Sequence, residues 1–144
     1  MKKFDIIVIG AGLYVCGKGT SGYGTILPAI FEWKRHNVDI GDIHCVSTSA
    51  KSSKELLQKA KGLEIKTGIK VNVKTYPEND SKNENAYKQV LNNSKRLACA
   101  IIAVPDHLHY QIAKDCLEVG LHTLVVKPLT PTHAEGLDLV NLAK

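Results

Sequence analysis

The sequence predicts an α/β protein, a doubly wound parallel sheet with helices on both faces in three αβα layers. Apolar runs at 4–9 and 97–104 have the length and composition of strands that are buried on both sides. Amphipathic helical patterns alternate with such runs, which is the order that gives parallel strands with right-handed crossovers. The turn Gly10-Ala11-Gly12 follows the first run directly.

The predicted strands are short and are bounded by turn residues. Four of them are apolar, and the third alternates between apolar and polar residues. Their ranges are 4–9, 43–46, 71–75, 97–104 and 123–126. Between them, apolar residues recur at helical spacing.

The predicted helices follow the same chain order. The first runs from Thr25 to His36, and Asn37 and Gly41 mark its exit. The second starts at Ser53 and ends before Gly68. The third covers 84–92. The fourth helix has an apolar face of Leu108, Ile112 and Cys116, and its C-cap is Gly120. The fifth has an apolar face of Ala134, Leu137 and Val140, and its N-cap is Thr130.

Composition limits the classes of protein to consider. The chain has 144 residues, 44% hydrophobic and 23% charged, which suits one globular domain with its own core. No apolar run is long enough to span a bilayer, and the first one ends in a glycine turn instead of a cleavage site, so we expect a cytoplasmic protein. The net charge of +5 comes from scattered lysines without interleaved aromatic residues, so nucleic-acid binding is not predicted.

The four cysteines show no C-x-x-C spacing. We interpret Cys16, Cys45, Cys99 and Cys116 as small buried side chains. A disulfide pair or a metal site is the alternative. His107 and His109 lie two residues apart and point to different sides of a helix, so they do not form a zinc site by themselves. We predict no metal site.

The glycine turn is the first candidate site. Glycine at Gly10 and Gly12 lets the backbone turn tightly and approach a pyrophosphate, which then meets N–H groups at a helix N-terminus. Tyr14 and Val15 continue this turn as candidate cofactor contacts, and Val15 stands where G-x-G-x-x-G has its third glycine. The alternative is a purely structural turn. Four further glycines make 17–24 an extended loop, either a flexible lid or an ordered insertion.

The end of the second strand is the second candidate site. Dinucleotide-binding folds place an acidic residue there to hold the ribose hydroxyls. This chain has Ser47 and Ser49 instead, followed by Lys51. Small hydroxyls and a lysine tolerate a 2′-phosphate, so the cofactor is predicted as NAD or NADP, with a lean to NADP. The alternative is that Ser49 or Ser53 caps a helix.

Two turns near the C-terminal half form the third candidate site. Val104-Pro105 follows the fourth strand, and Lys127-Pro128 closes the fifth. Ligands of open parallel sheets bind at the carboxyl ends of the strands. Lys127 is therefore the candidate catalytic residue, whose ammonium can polarise a carbonyl or manage a proton during hydride transfer. A surface lysine is the alternative.

The stretch AVPDHLHYQIAKDCLEVGLHTLVVKPLTPTHAE, residues 103–135, resembles the Gfo/Idh/MocA oxidoreductases, specifically their N-terminal NAD(P)-binding Rossmann domain. The resemblance implies a dinucleotide at the glycine turn and hydride exchange with a sugar, cyclitol or related polyol. It implies that Val104, Pro105 and His109 line the nicotinamide side. Lys127 takes the role of the family's motif lysine, Pro128 shapes its turn, and Val126 stands where the family usually has glutamate.

The resemblance also implies a second, α+β domain with the substrate pocket and the oligomer interface. Residues 1–144 are then one NAD(P)-binding domain, and that second domain is absent from this chain. We interpret the chain as the cofactor-binding half of an NAD(P)-dependent oxidoreductase, inactive alone and with homo-oligomerisation as an option. The alternative is a free-standing, non-catalytic dinucleotide-binding or sensing module, because fold alone does not fix function.

Overall fold

The computed structural model describes residues 3–36, 39–79, 82–94 and 98–144. Its strands are β1 Phe4–Ile9, β2 Ile40–Val46, β3 Asn72–Tyr76, β4 Ala98–Ile102 and β5 His122–Val125. They form one five-stranded sheet in the order β3-β2-β1-β4-β5, and every neighbouring pair is parallel. The predicted doubly wound parallel sheet is confirmed.

In the described ranges, six α-helices cover the two faces of this sheet. They are α1 Leu13–Cys16, α2 Ile26–Arg35, α3 Ala50–Thr67, α4 Ala86–Asn93, α5 His109–Glu118 and α6 His133–Leu142. A 3₁₀ turn at Asp106–Leu108 precedes α5. Residues of α1, α2 and α3 pack in one core, and residues of α4, α5 and α6 pack in the other. The fold therefore has the three predicted layers.

Alternation along β1 connects the two cores. Ile6 and Val8 lie in the core under α2 and α3, whereas Ile7 and Ile9 lie in the core under α4 and α5. All four side chains are buried. Burying an isoleucine or valine stabilises the fold by roughly 1.5–3 kcal/mol, so the part of β1 that serves two cores, 6–9, is apolar at every position.

The second strand begins earlier than predicted, at Ile40 instead of Ile43. Gly41 lies inside it and does not mark a helix exit. A Cβ at Gly41 would overlap the carboxylate of Asp5, and the next residue, Asp42, donates its N–H to Asp5 Oδ1 at 2.8 Å. The glycine makes room for this contact. Asn37, the other exit marker, and Leu97, the predicted start of the fourth strand, lie outside the described residues.

The third helix, α3, also begins earlier than predicted, because its N-cap is Ser49 and not Ser53. The Ser49 side chain accepts from the N–H of Ser52, and Gly68 ends the helix in a left-handed conformation with φ 71°. Ser53 lies inside the helix, and its hydroxyl donates to the Tyr76 carbonyl at 2.8 Å. The short helix α4 begins at Ala86, two residues later than predicted.

The last helix buries a different face from the one predicted. Thr132, not Thr130, is its N-cap and forms a capping box with Glu135. Leu139 is buried, whereas Leu137 and Val140 are 52% and 48% exposed. The Asp138 carboxylate accepts a 2.7 Å bond from Tyr110 on α5, and the next residue, Leu139, packs in the core under α4 and α5. Ala134 is exposed as well.

The cysteines are free thiols, and three of them are buried as predicted: Cys16, Cys45 and Cys116. Cys99 is half-buried. Burial raises the pKa of Cys45 and of Cys116 to about 12. Across the described ranges, no set of three or more His, Cys, Asp or Glu side chains is arranged to hold a metal ion. The same ranges contain no helix with the length and apolar character needed to cross a membrane.

Candidate functional site

The candidate site lies at the carboxyl edge of the sheet, where the strand order reverses. Successive crossovers run from β1 outwards to β2 and β3, and then return to β4 on the other side of β1. Open α/β sheets bind ligands in the crevice outside such a switch point. The turns after β1, β4 and β5 all leave the sheet at this edge, and they contain the glycine turn, Val104-Pro105 and Lys127-Pro128.

The two glycines of the first turn have different physical requirements. Gly10 has φ 122°, and a Cβ there would overlap the carbonyl oxygen of Ala103, at the end of β4. Gly12 has φ −88°, and a Cβ there would point into open space. Gly10 is therefore required by the approach of two strand ends. Gly12 leaves a space that a ligand can fill.

The helix after the glycine turn starts sooner than predicted. Gly12 is the N-cap of α1, which makes a single turn before Gly17 ends it with φ 72°. One helical turn carries no amphipathic repeat, so the periodicity of the sequence could reveal only α2. The first N–H groups of α1 have no carbonyl partner within the helix.

This turn fits a pyrophosphate group. Open space at Gly12 and the first N–H groups of α1 provide the cradle that such a group needs. Leu13 and Tyr14 are exposed beside it, whereas the Val15 side chain is buried in the core. Val15 can therefore offer a ligand only its N–H. Cys16 lies below, with Sγ 3.6 Å from the Gly12 carbonyl oxygen, and its pKa is raised chiefly by burial, so it remains a thiol.

The serines at the end of β2 have structural partners. The Ser47 hydroxyl is buried, donates to the Ser49 carbonyl at 2.8 Å and lies 2.9 Å from Ser53 Oγ. Ser49 caps α3, as the alternative interpretation held. Both hydroxyls thus hold the turn between β2 and α3. The exposed side chains at this position are Thr48 and Lys51.

His109 joins the other two turns. Its Nδ1 lies 2.7 Å from the carbonyl oxygen of Pro128, and its Nε2 lies 2.9 Å from that of Val104. The side chain is fully buried. A carbonyl oxygen can only accept, so the ring nitrogen that carries the proton donates to the turn that it faces. With no exposed surface and both nitrogens engaged, His109 supports the turns from behind. Its place on the nicotinamide side stays a prediction, and the structure shows the ring behind the two turns assigned to that side.

Lys127 is exposed at the end of β5, beside the turn that His109 supports. The bond between Lys127 and Pro128 is cis. Pro105 is exposed and Val104 half-buried in the neighbouring turn. The preceding Val126 is half-buried against the core under α2 and donates its N–H to the Ile102 carbonyl at 3.0 Å. The ammonium group of Lys127 is therefore exposed at the carboxyl edge of the sheet.

The extended loop 17–24 is fastened to α3. Lys18 Nζ donates to Ser52 Oγ at 2.7 Å, and the Gly19 N–H donates to Glu55 Oε1 at 2.9 Å. Lys59 Nζ donates to two loop carbonyl oxygens, at 2.5 and 2.6 Å. Of the two interpretations that the sequence leaves open, these bonds favour the ordered insertion over the flexible lid. Lys18 was not among the predicted site residues, because only the folded loop brings it to α3.

A second polar region lies away from this edge. It is a cavity of about 330 Å³ between β1, β2, β3 and α4. The Lys74 ammonium donates to Asp42 Oδ2 at 2.7 Å and is the largest cause of the lowered pKa of Asp42. His44 Nδ1 lies 3.2 Å from the Tyr76 hydroxyl. None of its lining residues belongs to the turns after β1, β4 and β5.

Comparison with known proteins shows the family of the chain. The profile of the Gfo/Idh/MocA oxidoreductase family, NAD-binding Rossmann fold, matches residues 4–144. An uncharacterized oxidoreductase of Schizosaccharomyces pombe is 41% identical over 44 residues, which is 31% of this chain and 12% of that protein. One of Bacillus subtilis is 46% identical over 43 residues, 30% of this chain and 11% of that protein.

Solved structures show the same fold at low sequence identity. A probable oxidoreductase, yhhX, superposes with a TM-score of 0.66 and 21% identity, over 97% of this chain and 32% of that one. The WlbA dehydrogenase from Bordetella pertussis, in complex with NADH and UDP-GlcNAcA, superposes with a TM-score of 0.60 and 14% identity. The match covers 99% of this chain and 34% of that one. KijD10, a 3-ketoreductase from Actinomadura kijaniata in complex with NADP and TDP-benzene, superposes with a TM-score of 0.61 and 18% identity. The match covers 98% of this chain and 34% of that one. The chain spans about a third of the length of these structures.

Proposed function

Because this chain belongs to the Gfo/Idh/MocA oxidoreductase family, we propose that it is the NAD(P)-binding domain of an enzyme that transfers hydride to or from a sugar, cyclitol or related polyol. The observation that carries the proposal is the convergence of three turns at one edge of the sheet. Gly12 offers space for a pyrophosphate, and His109 joins the turns of Val104 and Lys127.

We assign the halves of the dinucleotide by this geometry. The pyrophosphate lies against Gly12 and the N–H groups of α1, with Tyr14 beside it. The adenosine half extends towards the end of β2, and the nicotinamide half extends across the switch point towards Val104 and Pro105. When bound, the nicotinamide ring donates or accepts hydride.

Lys127 then has the catalytic role in this proposal. Its ammonium stands at the carboxyl edge, where a substrate hydroxyl or carbonyl would lie next to the nicotinamide. The lysine holds the proton that the substrate oxygen gains or loses as hydride moves. Substrate must also be oriented, and we propose that the further domain implied by the family resemblance does this, so residues 1–144 alone bind cofactor without turnover.

The neighbour structures support the substrate class. WlbA is described in complex with UDP-GlcNAcA and KijD10 as a 3-ketoreductase in complex with TDP-benzene. We propose a sugar or polyol substrate for the complete enzyme on this basis, together with the family membership. The free thiols also suit a reducing compartment, and we propose a cytoplasmic location.

Exposed apolar side chains on β5 and on α6 support a larger assembly. Leu124 on β5 is 57% exposed, and Leu137 and Val140 on α6 are exposed nearby along the chain. We propose that a second domain or another subunit covers them in the full enzyme. Light scattering on the 144-residue chain tests the second option, because self-association through this surface makes the apparent mass depend on concentration.

The test of the proposed function is a titration of the 144-residue chain with NADH and NADPH. Nicotinamide fluorescence reports binding, and calorimetry gives the stoichiometry. We expect saturable binding of one dinucleotide per chain. A folded chain that binds neither compound would contradict the proposal. Turnover of a sugar by this chain alone would contradict the part assigned to the further domain.

A further inference from the structure

We propose that Lys18 binds the 2′-phosphate of NADP and makes this site selective for NADP over NAD, an inference that rests on the proposed function. Lys18 belongs to the loop 17–24. Its ammonium lies 2.7 Å from Ser52 Oγ, and Ser52 Oγ lies 3.2 Å from Ser49 Oγ. The loop therefore delivers a cation to the turn that follows β2.

This turn is where the ribose of the adenosine half lies in a dinucleotide-binding sheet. NAD-selective sites place a carboxylate there, which accepts from the ribose hydroxyls and repels a 2′-phosphate. Residues 46–51 contain no carboxylate. Thr48 and Lys51 are the exposed side chains, and Lys51 adds a second positive charge to the turn that follows β2. The charge and the donors at this position match a phosphate.

Lys18 is held in place before any ligand arrives. The Gly19 N–H donates to Glu55, Lys59 binds the carbonyl oxygens of Thr20 and Gly22, and the Tyr23 ring covers the face of α3 at Gly62. An ordered loop loses little further entropy when it binds, so the lysine is pre-organised. The Glu55 carboxylate accepts from the loop backbone and helps to hold the loop on α3.

The Ser52 contact is compatible with phosphate binding. An ammonium group has three donors, and Ser52 uses one of them. The remaining donors can reach phosphate oxygens while the serine fixes the direction of the side chain. A charge-assisted hydrogen bond to phosphate contributes roughly 10- to 100-fold in affinity.

The sharpest probe is the adenosine half of the cofactor alone. Adenosine 2′,5′-bisphosphate and AMP differ only in the 2′-phosphate, and neither needs the nicotinamide side of the site. We expect calorimetry on the 144-residue chain to show that the bisphosphate binds roughly 10- to 100-fold more tightly than AMP. NADPH should likewise bind more tightly than NADH.

Two matched variants separate charge recognition from loop tethering. Lys18→Met and Lys59→Met each remove one positive charge and at least one tie between the loop and α3. Lys59 is seven residues after Ser52 on α3, which the rise of an α-helix converts to about 10 Å along the helix axis. We expect Lys18→Met to lose most of the preference for the bisphosphate without weakening AMP binding. Lys59→Met should keep the preference.

The outcomes distinguish this inference from the function on which it rests. Equal loss of preference in both variants would overturn the role of Lys18, because loop order alone would then explain it. Equal affinity of the unchanged chain for AMP and the bisphosphate would overturn the inference and leave dinucleotide binding intact. No binding of NADH, NADPH or either adenosine probe would overturn both.

Discussion

Nδ1 of His109 lies 2.7 Å from the carbonyl oxygen of Pro128, which is 19 residues further along the chain. The same ring reaches the Val104 carbonyl through Nε2. One fully buried side chain thus fixes the distance between the turn after β4 and the turn after β5. These are the two turns that we assign to the nicotinamide side, so their relative position bears directly on where Lys127 stands.

We expect His109→Ala to lower the free energy of unfolding by about 2–4 kcal/mol, because the contacts of the ring with two backbone carbonyl oxygens are lost and a cavity replaces a buried ring. Urea unfolding measures this loss. His107→Ala is the matched control, since His107 is exposed two residues earlier. It should change stability by less than about 0.5 kcal/mol. A His109 variant of unchanged stability that only loses dinucleotide affinity would support the role first predicted for it.

The sequence was informative about His109 only in part. Its neighbourhood was identified as a turn at the carboxyl end of a strand, because an apolar run, a proline and a helical repeat stand side by side. Its partners Val104 and Pro128 belong to two different turns, which meet only after β4 and β5 pair. Local pattern cannot report such a contact. The same reason hid Lys18, whose partner Ser52 is 34 residues away.

Helices and strands were predictable where apolar residues recur along one or both of their faces at the spacing of that element. The strand Phe4–Ile9 was predicted with its observed bounds, because its residues 6–9 are apolar and pack in the two cores. Short or polar elements were less predictable. The helix Leu13–Cys16 makes too few turns to show periodicity, and Gly41 carries the same local signal as a helix exit although it serves a contact with Asp5.

The two glycines of the first turn can be separated experimentally. Gly10→Ala should lower the free energy of unfolding by about 3–5 kcal/mol, because φ 122° strains alanine and its Cβ overlaps the Ala103 carbonyl. Gly12→Ala should change stability by less than about 1 kcal/mol and weaken dinucleotide binding at least roughly tenfold, because its Cβ fills the proposed pyrophosphate space. Chemical unfolding and NADH or NADPH titration are measured on both. Unchanged affinity in a folded Gly12 variant would remove the cradle from the proposal.

Alkaline pH should destabilise the fold through its buried thiols. Burial raises the pKa of Cys45 and Cys116 from 9.0 to about 12. The unfolded chain therefore releases these protons at lower pH than the folded chain does. The stabilisation is complete below pH 9 and is lost as the pH rises towards about 12. Tyr76 and Tyr87 have raised pKa values and act in the same direction.

Urea unfolding at a series of pH values measures this dependence. Cys45→Ala should reduce the slope of stability against pH above pH 9 and leave the slope between about pH 6 and 8 unchanged, because no thiol titrates there. The absolute stability will also fall, since the alanine leaves a small cavity, so only the slopes are compared. An identical alkaline slope in the variant would mean that this thiol is not protected by the fold.

Lys127 should matter for turnover far more than for cofactor binding. In a form of the enzyme that includes the substrate domain, Lys127→Ala should lower kcat roughly 10²- to 10⁴-fold, the usual contribution of a positioned acid or base. Dinucleotide affinity should change less than about threefold, because the exposed lysine is assigned to the substrate oxygen and not to the phosphates. Lys61→Ala, on the exposed side of α3, is the control for the loss of one surface charge. Losses of the same size in turnover and in dinucleotide affinity would make Lys127 a cofactor anchor. The proton would then have to be held by a group outside the three turns described here.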